Sequence, residues 1–282
     1  MRTAYLNGDY LPIEDAKVSI LDRGFTFADG IYEVAAVIGG KLIDNDAHLA
    51  RLERSLGEIQ MPMPIPKPNL VSVMEKLVQL NDLNEGIVYL QVTRGVAERD
   101  FPFPKEARQT LAMFTQAESL VSPPAATIGL KAITCPDIRW GRRDIKSVGL
   151  LAQVLAKQIA AEAGVGEALL VEDGEITEGA SSSAFIITDQ GELITRKADH
   201  SILPGITRMA VFKLVEKTDL ALTERRFTIA EAKAAREVFI TSASNLVMAI
   251  VEIDGHQVAN GQPGPYTKKL RAIYLAQAGV SA

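Results

Sequence analysis

The stretch Asp137–Gly164, DIRWGRRDIKSVGLLAQVLAKQIAAEAG, decides how the chain is read. It sets one lysine, Lys146, between three arginines and an apolar-periodic run with helical spacing, closed by Gly164 where a left-handed C-cap is expected. An exposed lysine ammonium is not a nucleophile near neutral pH. Desolvation and neighbouring cations favour the neutral amine, which can bond to a carbonyl carbon. Arg139, Arg142 and Arg143 supply cations, and Asp144 partly offsets them. Taken alone, the segment fits a solvated charged turn before a helix better than a reactive centre.

Working outward, the flanking sequence reads as mixed helices and strands. Upstream, TAYLNGDYLP turns at Asn7-Gly8, a strong hairpin signal, and IYEVAAVIGGKLI turns at Gly39-Gly40. HLARLERSLGEIQ places Leu49, Leu52, Leu56 and Ile59 at helical spacing, and the prolines of MPMPIPKP end that helix. LVSVMEKLVQLNDL is a second amphipathic helix, and GIVYLQVTRG and TLAMFTQ are strands around the loop VAERDFPFPKEARQ. ESLVSPPAA, residues 118–126, carries Pro123-Pro124 without periodicity and reads as a linker. Downstream, EALLVEDGEITEG and SAFIITDQGELIT are strand–turn–strand units. ITRMAVFKLVEKTDL, TIAEAKAAR and PYTKKLRAIYLAQAG are helices, and EVFITSASNLVMAIVEIDG closes the strands. The expectation is an α+β chain in two lobes, 1–117 and 127–282.

Composition narrows the function. The chain has 282 residues, 47% apolar and 23% charged, enough for a sizeable core. Its net charge of -5 lacks the positive field that non-specific nucleic-acid binding needs. One cysteine, Cys135, permits no intramolecular disulfide, and three scattered histidines give no metal-ligand spacing, so no metal is expected. No apolar run resembles a signal peptide or a membrane span, which makes a cytoplasmic protein the expectation.

Four further segments carry candidate chemistry. Glu178, in ITEGASSSAF, is followed by small residues that allow close backbone approach. A carboxylate facing a heterocycle nitrogen would keep it protonated and make the ring an electron sink, although a plain turn explains the segment equally well. ILPGITR, 202–208, runs from loop to helix, so Ile206 and Thr207 would present N–H groups to an anion, as an ordinary N-cap also would. ITSASNL offers Ser242 and Ser244 as hydroxyl donors, and Arg51 lies on a helix where it could pair with the same anion. No one of these decides. Together a nucleophilic lysine, an acid for a ring nitrogen and anion-binding loops match the aldehyde, pyridine nitrogen and phosphate of pyridoxal 5′-phosphate.

At this point the chain resembles the fold-type IV pyridoxal-phosphate aminotransferases, most of all the D-amino-acid transaminases. The resemblance runs nearly end to end and rests on DRGFTFADGIYEV (22–34), HLARL (48–52), the VTRG…R…FP loop (92–104), IRWGRRDIKSVGLL (138–151), TEGASSSAF (177–185), ILPGITR (202–208) and FITSAS (239–244). It implies a small N-terminal α/β lobe and a larger, barrel-like C-terminal lobe, and a homodimer whose sites lie between lobes and borrow residues from the partner. It implies Lys146 as the Schiff-base lysine and proton shuttle, and Glu178 at the pyridine nitrogen. Arg51, Ile206, Thr207 and Ser242 would hold the phosphate, Leu203 would cover a ring face, and Ser182 and Ala243 would neighbour the cofactor. Ala243 is often threonine in this family, so one hydroxyl is missing unless Ser244 or water replaces it. Tyr32 and Val34 would line the substrate side.

The departure lies in GVAERDFPFP. Similar transaminases read R-x-H-x-F-P there and use the arginine and histidine, supplied in that family by the partner subunit, on the substrate carboxylate. Here Arg99 stands and Phe101 takes the histidine position. The expectation is weaker carboxylate binding, or help from Arg23 or Arg143. The activity implied is ping-pong transfer of an amino group from a D-amino acid to a 2-oxo acid. Branched-chain L-amino-acid or (R)-amine transamination and, less so, aminodeoxychorismate lyase chemistry use the same lysine and glutamate. A cofactor-binding protein without turnover is the non-enzyme alternative.

Overall fold

The computed structural model describes residues 2–280. The chain forms two compact units. The first holds residues 1–119 with 145–149, and the second holds 120–144 with 150–282. This division differs from the lobes expected from sequence in one informative way, because the Lys146 segment belongs to the first unit.

The first unit contains β1 (Thr3–Leu6), β2 (Asp9–Pro12), α1 (Arg23–Phe27), β3 (Gly30–Ile38), β4 (Lys41–Leu42), α2 (Asn45–Glu58), α3 (Lys67–Leu80), β5 (Glu85–Thr93) and β6 (Thr110–Ala117). The strands form one six-stranded sheet in the order β2-β1-β6-β5-β3-β4. β3 and β5 pair antiparallel along their whole lengths, from Gly30 opposite Thr93 to Ile38 opposite Glu85. Side chains alternate across a strand, so Ile31, Glu33, Ala35 and Val37 share one face of β3 while Tyr32 and Val34 share the other. The first face packs on Leu49, Leu52 and Leu56 of α2 and on Leu70, Met74 and Leu77 of α3. Residues 145–149 join this unit by backbone bonds to β3. Tyr32 N–H donates to Lys146 O at 3.1 Å, Val148 N–H donates to Gly30 O at 3.0 Å, and Ile145 completes the core.

The second unit contains α4 (Pro124–Ile128), β7 (Leu130–Pro136), α5 (Leu151–Glu162), β8 (Glu167–Glu172), β9 (Glu175–Gly179), β10 (Ser183–Ile187), β11 (Glu192–Thr195), α6 (Ile206–Val215), β12 (Ala221–Glu224), α7 (Ile229–Ala234), β13 (Glu237–Ser242), β14 (Leu246–Ile253), β15 (His256–Gln257) and α8 (Pro265–Gln277). Its nine-stranded sheet runs β12-β11-β10-β13-β14-β7-β8-β9, with β15 on β14. β9 and β10 come back into contact although they are not neighbours in that order, so the sheet curls on itself in a barrel-like way. The core is built from Ile186, Ile194, Val238, Ile240, Met248, Ile250 and Phe227.

Local signals set several boundaries. Asp173 and Gly174 both take positive φ in the β8–β9 turn, which the Asp-Gly pair permits. Gly164 has φ of 69° just beyond α5, the left-handed conformation that ends a helix. Thr228 and Glu231 cap α7 reciprocally. The segment read as a featureless linker contains most of α4, because Pro123 and Pro124 sit at a helix start, where no donor is lost.

Candidate active site

In the first unit, the sequence-predicted residues fall on two faces of β3. On the open face, Lys146 Nζ lies 4.1 Å from the centroid of the Tyr32 ring. Tyr32 stacks on Tyr89 at 5.7 Å, and Tyr89 stacks on Phe114 at 4.8 Å. Tyr89 also donates its hydroxyl to Gln91 at 2.8 Å. Val34 stands on this face opposite Tyr89 in the strand register. Burial pushes the Tyr89 phenol well above its usual range, so it stays a neutral donor. The resemblance named Tyr32 and Val34; the structure adds Tyr89, Gln91 and Phe114 to the same face, for which the period-two alternation in GIVYLQVT, one strand away, was the available signal.

The buried face carries a carboxylate where the pattern calls for an apolar residue. Glu33 is 2% exposed. Arg51 grips it twice, Nε to Oε1 and Nη2 to Oε2, both at 2.8 Å, and His48 Nδ1 lies 2.8 Å from Oε2. Burial alone pushes the Glu33 carboxyl up. The Arg51 charge and hydrogen bonds, with the His48 bond, outweigh it and hold the pKa down at about 2. Arg51 is thus presented by an ion pair with β3. Lys146 N lies 3.5 Å from Ser55 Oγ, one turn of α2 further on. The sequence signal for this set was a charged residue at core parity, with His48 and Arg51 spaced three apart on a helix.

Arg99 and Phe101 sit on the loop between β5 and β6, and both are exposed. The Arg99 guanidinium lies 5.2 Å from the Phe27 ring centroid and 5.6 Å from that of Phe101. The two suggested helpers for carboxylate binding are engaged elsewhere. Arg23 Nε donates to Asp29 at 2.8 Å and its terminal nitrogens donate to loop carbonyls. Arg143 donates twice to Glu172, at 3.0 and 2.7 Å, and lies 3.2 Å from Asp137. Both guanidiniums are buried.

In the second unit, Glu178 at the end of β9 is buried. It pairs with Arg139 Nη1 and accepts from Leu203 N–H at 3.2 and 3.3 Å. Burial pushes its carboxyl up, opposed by the Arg139 charge and the Leu203 N–H. Arg139 is fixed from its other side by Asp137, which also accepts from Thr177 at 2.7 Å. Burial pushes Asp137 up, and the Arg139 and Thr177 bonds outweigh it, leaving a lowered pKa. Arg142 meets Asp144 at 3.0 and 3.1 Å. The arginine crowding read from DIRWGRRDIK is therefore a matched network. Each guanidinium has a carboxylate, and what the cluster holds in place is Glu178 rather than an excess of positive charge. Sequence reasoning named Arg139 only as a cation near Lys146 and missed its pairing with Glu178, 39 residues away.

The anion-binding elements lie in the same unit. Gly205 caps α6 without any side-chain bond to the helix start, which leaves the N-terminal turn with Ile206 and Thr207 to a ligand. A Cβ on Gly205 would come within 2.6 Å of Ser183 Oγ, so glycine keeps this cradle open. Ser242 Oγ accepts from Asn245 N–H at 3.0 Å and lies 3.4 Å from Ser244 Oγ, with Ala243 between them. The Ser182 hydroxyl donates to the fully buried Glu167 at 2.9 Å, which braces the β9–β10 turn. A buried carboxylate held by an arginine and a backbone N–H suits the proton of a ring nitrogen as its acceptor. An uncapped helix start beside serine hydroxyls suits a phosphate, and a lysine amine above an aromatic ring suits an aldehyde. These donors fit pyridoxal 5′-phosphate.

Comparison with known proteins agrees with this chemistry. Residues 30–253 match the family described as amino-transferase class IV. A D-alanine aminotransferase of Staphylococcus haemolyticus is 38% identical over 272 residues, 96% of each chain. The branched-chain amino acid aminotransferase of Escherichia coli superposes with a TM-score of 0.90 at 22% identity, over 98% of this chain and 94% of that one. A hypothetical aminotransferase from Mycobacterium tuberculosis, in its PLP-bound form, gives 0.83 at 21% identity, over 97% and 98%. Fold, donor set and end-to-end similarity converge: this chain belongs to the class IV aminotransferases, enzymes that work with pyridoxal 5′-phosphate.

Proposed function

We propose that the chain moves the amino group of a D-amino acid to a 2-oxo acid in a ping-pong cycle. The observation that carries this reading is the end-to-end similarity to a D-alanine aminotransferase, with Arg99 retained in the β5–β6 loop. Bound pyridoxal 5′-phosphate supplies an aldehyde that captures the amino group and a protonated ring that takes up the electron pair left when the Cα proton departs. Lys146, whose amine lies against the Tyr32 ring, would hold the cofactor's aldehyde carbon, and its amine would serve as the group that moves a proton at the donor's Cα. Glu178 would accept from the ring nitrogen and so favour its protonated form, and Arg139 fixes Glu178 in place. The α6 N-terminus, Ser242 and Arg51 would hold the phosphate, with Ser244 beside the hydroxyl-free Ala243, and Leu203 would pack against the ring. Tyr32, Val34 and the Tyr89 ring shape the donor's side-chain space, and Arg99 grips its carboxylate.

A half-reaction screen tests the reading. Purified enzyme is mixed separately with D-alanine, D-glutamate, L-leucine and (R)-1-phenylethylamine, and the cofactor absorbance is followed. D-amino acids react fastest. Rapid reaction with L-leucine and none with D-amino acids would refute the proposal. Phe101 supports an (R)-amine side activity, because a donor without a carboxylate does not need the histidine that Phe101 replaces.

The working form in this reading is a homodimer in the cytoplasm. Ile20 and Phe25 in the first unit and Leu151 and Val154 on α5 are large apolar side chains left exposed, the pattern of surfaces covered on association. Sedimentation at micromolar concentration gives a mass near twice that of the chain. A monomer would remove this part. Among the described residues, no helix is long and apolar enough to cross a membrane, and the lone cysteine is buried.

A further inference from the structure

The loop that carries Arg99 and Phe101 is exposed at its tip and anchored at its base. Phe101 has 75% of its surface in solvent, yet the backbone beneath it converges on one buried cation. Arg23, at the start of α1, is 3% exposed. Its Nη1 donates to Asp100 O at 2.6 Å and Pro102 O at 3.4 Å, and its Nη2 donates to Phe101 O at 3.3 Å. Its Nε donates to Asp29 Oδ2 at 2.8 Å. Three consecutive loop carbonyls and a carboxylate thus share one planar guanidinium, an arrangement a lysine's single ammonium cannot span.

The same corner is stitched from both sides. Asp29 also accepts from Arg94 Nε at 2.7 Å and Nη2 at 3.0 Å, and Arg94 lies 3.6 Å from the Phe103 ring centroid. Arg23 N–H donates to Gly95 O at 2.8 Å. The Arg23 guanidinium lies 4.6 Å from the Phe27 ring centroid, and Phe27 is 5.4 Å from Phe101 and 5.2 Å from the Arg99 guanidinium. The two rings beside the Arg99 guanidinium, Phe27 and Phe101, are thus both tied to Arg23.

We propose that Arg23 is a positioning residue for donor recognition: by holding the carbonyls of residues 100–102 it fixes the loop so that Arg99 and Phe101 meet the substrate carboxylate in one geometry. This rests on the reading of Arg99 as the carboxylate grip. A fixed loop removes the ordering cost that an exposed segment otherwise incurs on binding. It also gives Phe101 a role. In place of a second polar donor, an aromatic ring braced by Phe27 restrains Arg99 from the side.

The test uses the dimeric holoenzyme with Arg23→Met, Arg99→Ala and the double variant. In R23M the donor concentration for half-maximal reaction with D-alanine rises about ten- to a hundredfold, the equivalent of one displaced charge-assisted bond, while the saturated rate keeps its wild-type value. Hydrogen exchange of residues 96–106 speeds up in R23M and stays as in wild type in R99A. In the R99A background, R23M adds nothing further for D-alanine. Wild-type exchange of the loop in R23M overturns the clamp. Equal loss in saturated rate and donor affinity, or a full additional loss on top of R99A, overturns the link from the clamp to the carboxylate. Unchanged D-alanine kinetics in R99A with a loosened loop in R23M sink the Arg99 reading and leave only the clamp. Where R23M does not retain cofactor, Arg23→Lys replaces it, since it keeps the charge near Asp29 and loses the carbonyl contacts.

Discussion

Replacing Glu33 by glutamine isolates the ion pair that presents Arg51. Glu33 sits on the core face of β3, where Arg51 and His48 hold its carboxyl at about 2 against a usual 4.5. That difference corresponds to about 3 kcal/mol of folding stability when the carboxyl is ionised. The sign follows from the direction of the shift. A folded-state pKa below the unfolded value stabilises the fold above pH 4.5 and loses that stabilisation as pH falls toward 2. Integrating between the two values, about 2 kcal/mol disappears between about pH 6 and about pH 3. E33Q cannot titrate at this position, and it leaves the buried Arg51 without its carboxylate. At about pH 6 it is less stable than wild type by about 3–5 kcal/mol. At about pH 3 the gap narrows by about 2 kcal/mol. Urea unfolding of both proteins at fixed pH steps measures the gap directly, and other titrating groups cancel in the difference. A gap that stays constant over that range would refute the assignment of the acid-sensitive stabilisation to this pair. The same variant also releases Arg51 from β3. If Arg51 holds the phosphate, equilibrium dialysis shows weaker cofactor retention in E33Q at neutral pH.

Three other substitutions probe the rest of the site. Arg139→Met leaves Asp137 and Glu178 buried without their cation, at a cost of about 3–5 kcal/mol. With Arg139 gone the Glu178 carboxyl moves further up, so the deficit grows as pH rises above the ordinary carboxylate range. A thermal midpoint equal to wild type above that range contradicts the pairing. Lys146→Ala abolishes steady turnover, since loss of proton transfer alone removes about 10²–10⁴-fold, while dialysis still finds cofactor bound through the second unit. Gly205→Ala brings a Cβ to 2.6 Å from Ser183 Oγ with no backbone strain, because φ is -62°. It weakens cofactor retention about tenfold, the equivalent of one lost hydrogen bond to a charged group, and unchanged retention removes the α6 N-terminus from phosphate binding.

What the sequence made legible was local. Asn7-Gly8, Asp173-Gly174 and Gly164 each fix a backbone conformation that few other residues accept, and each lies where the sequence places a turn or cap. The alternation in GIYEV put Tyr32 and Val34 on one face of β3. The order of the motifs carried the fold type. Groups whose meaning depends on distant partners stayed hidden. Arg139 and Glu178 are 39 residues apart, and Arg23 lies 77 residues from Asp100 and 78 from Phe101, whose carbonyls it holds.

The segment DIRWGRRDIKSVGLL shows why a linear reading misassigns its charges. Along the chain it is one crowded turn, in which arginines act on the neighbouring lysine. In the fold it divides between Asp144 and Ile145. The arginine side belongs to the second unit, where Asp137, Asp144, Glu172 and Glu178 match its guanidiniums. The lysine side is bonded along β3 in the first unit, with its amine above Tyr32. Adjacency in sequence therefore measures neither the field at Lys146 nor the purpose of the arginines. Three cations close to a lysine in a chain can influence it only as much as their uncompensated charge, and here each is compensated by a carboxylate at hydrogen-bond distance. What lies against the Lys146 amine is the Tyr32 ring, itself stacked on Tyr89. Arg139, the one of the three bonded to Glu178, is turned toward that carboxylate rather than toward the lysine.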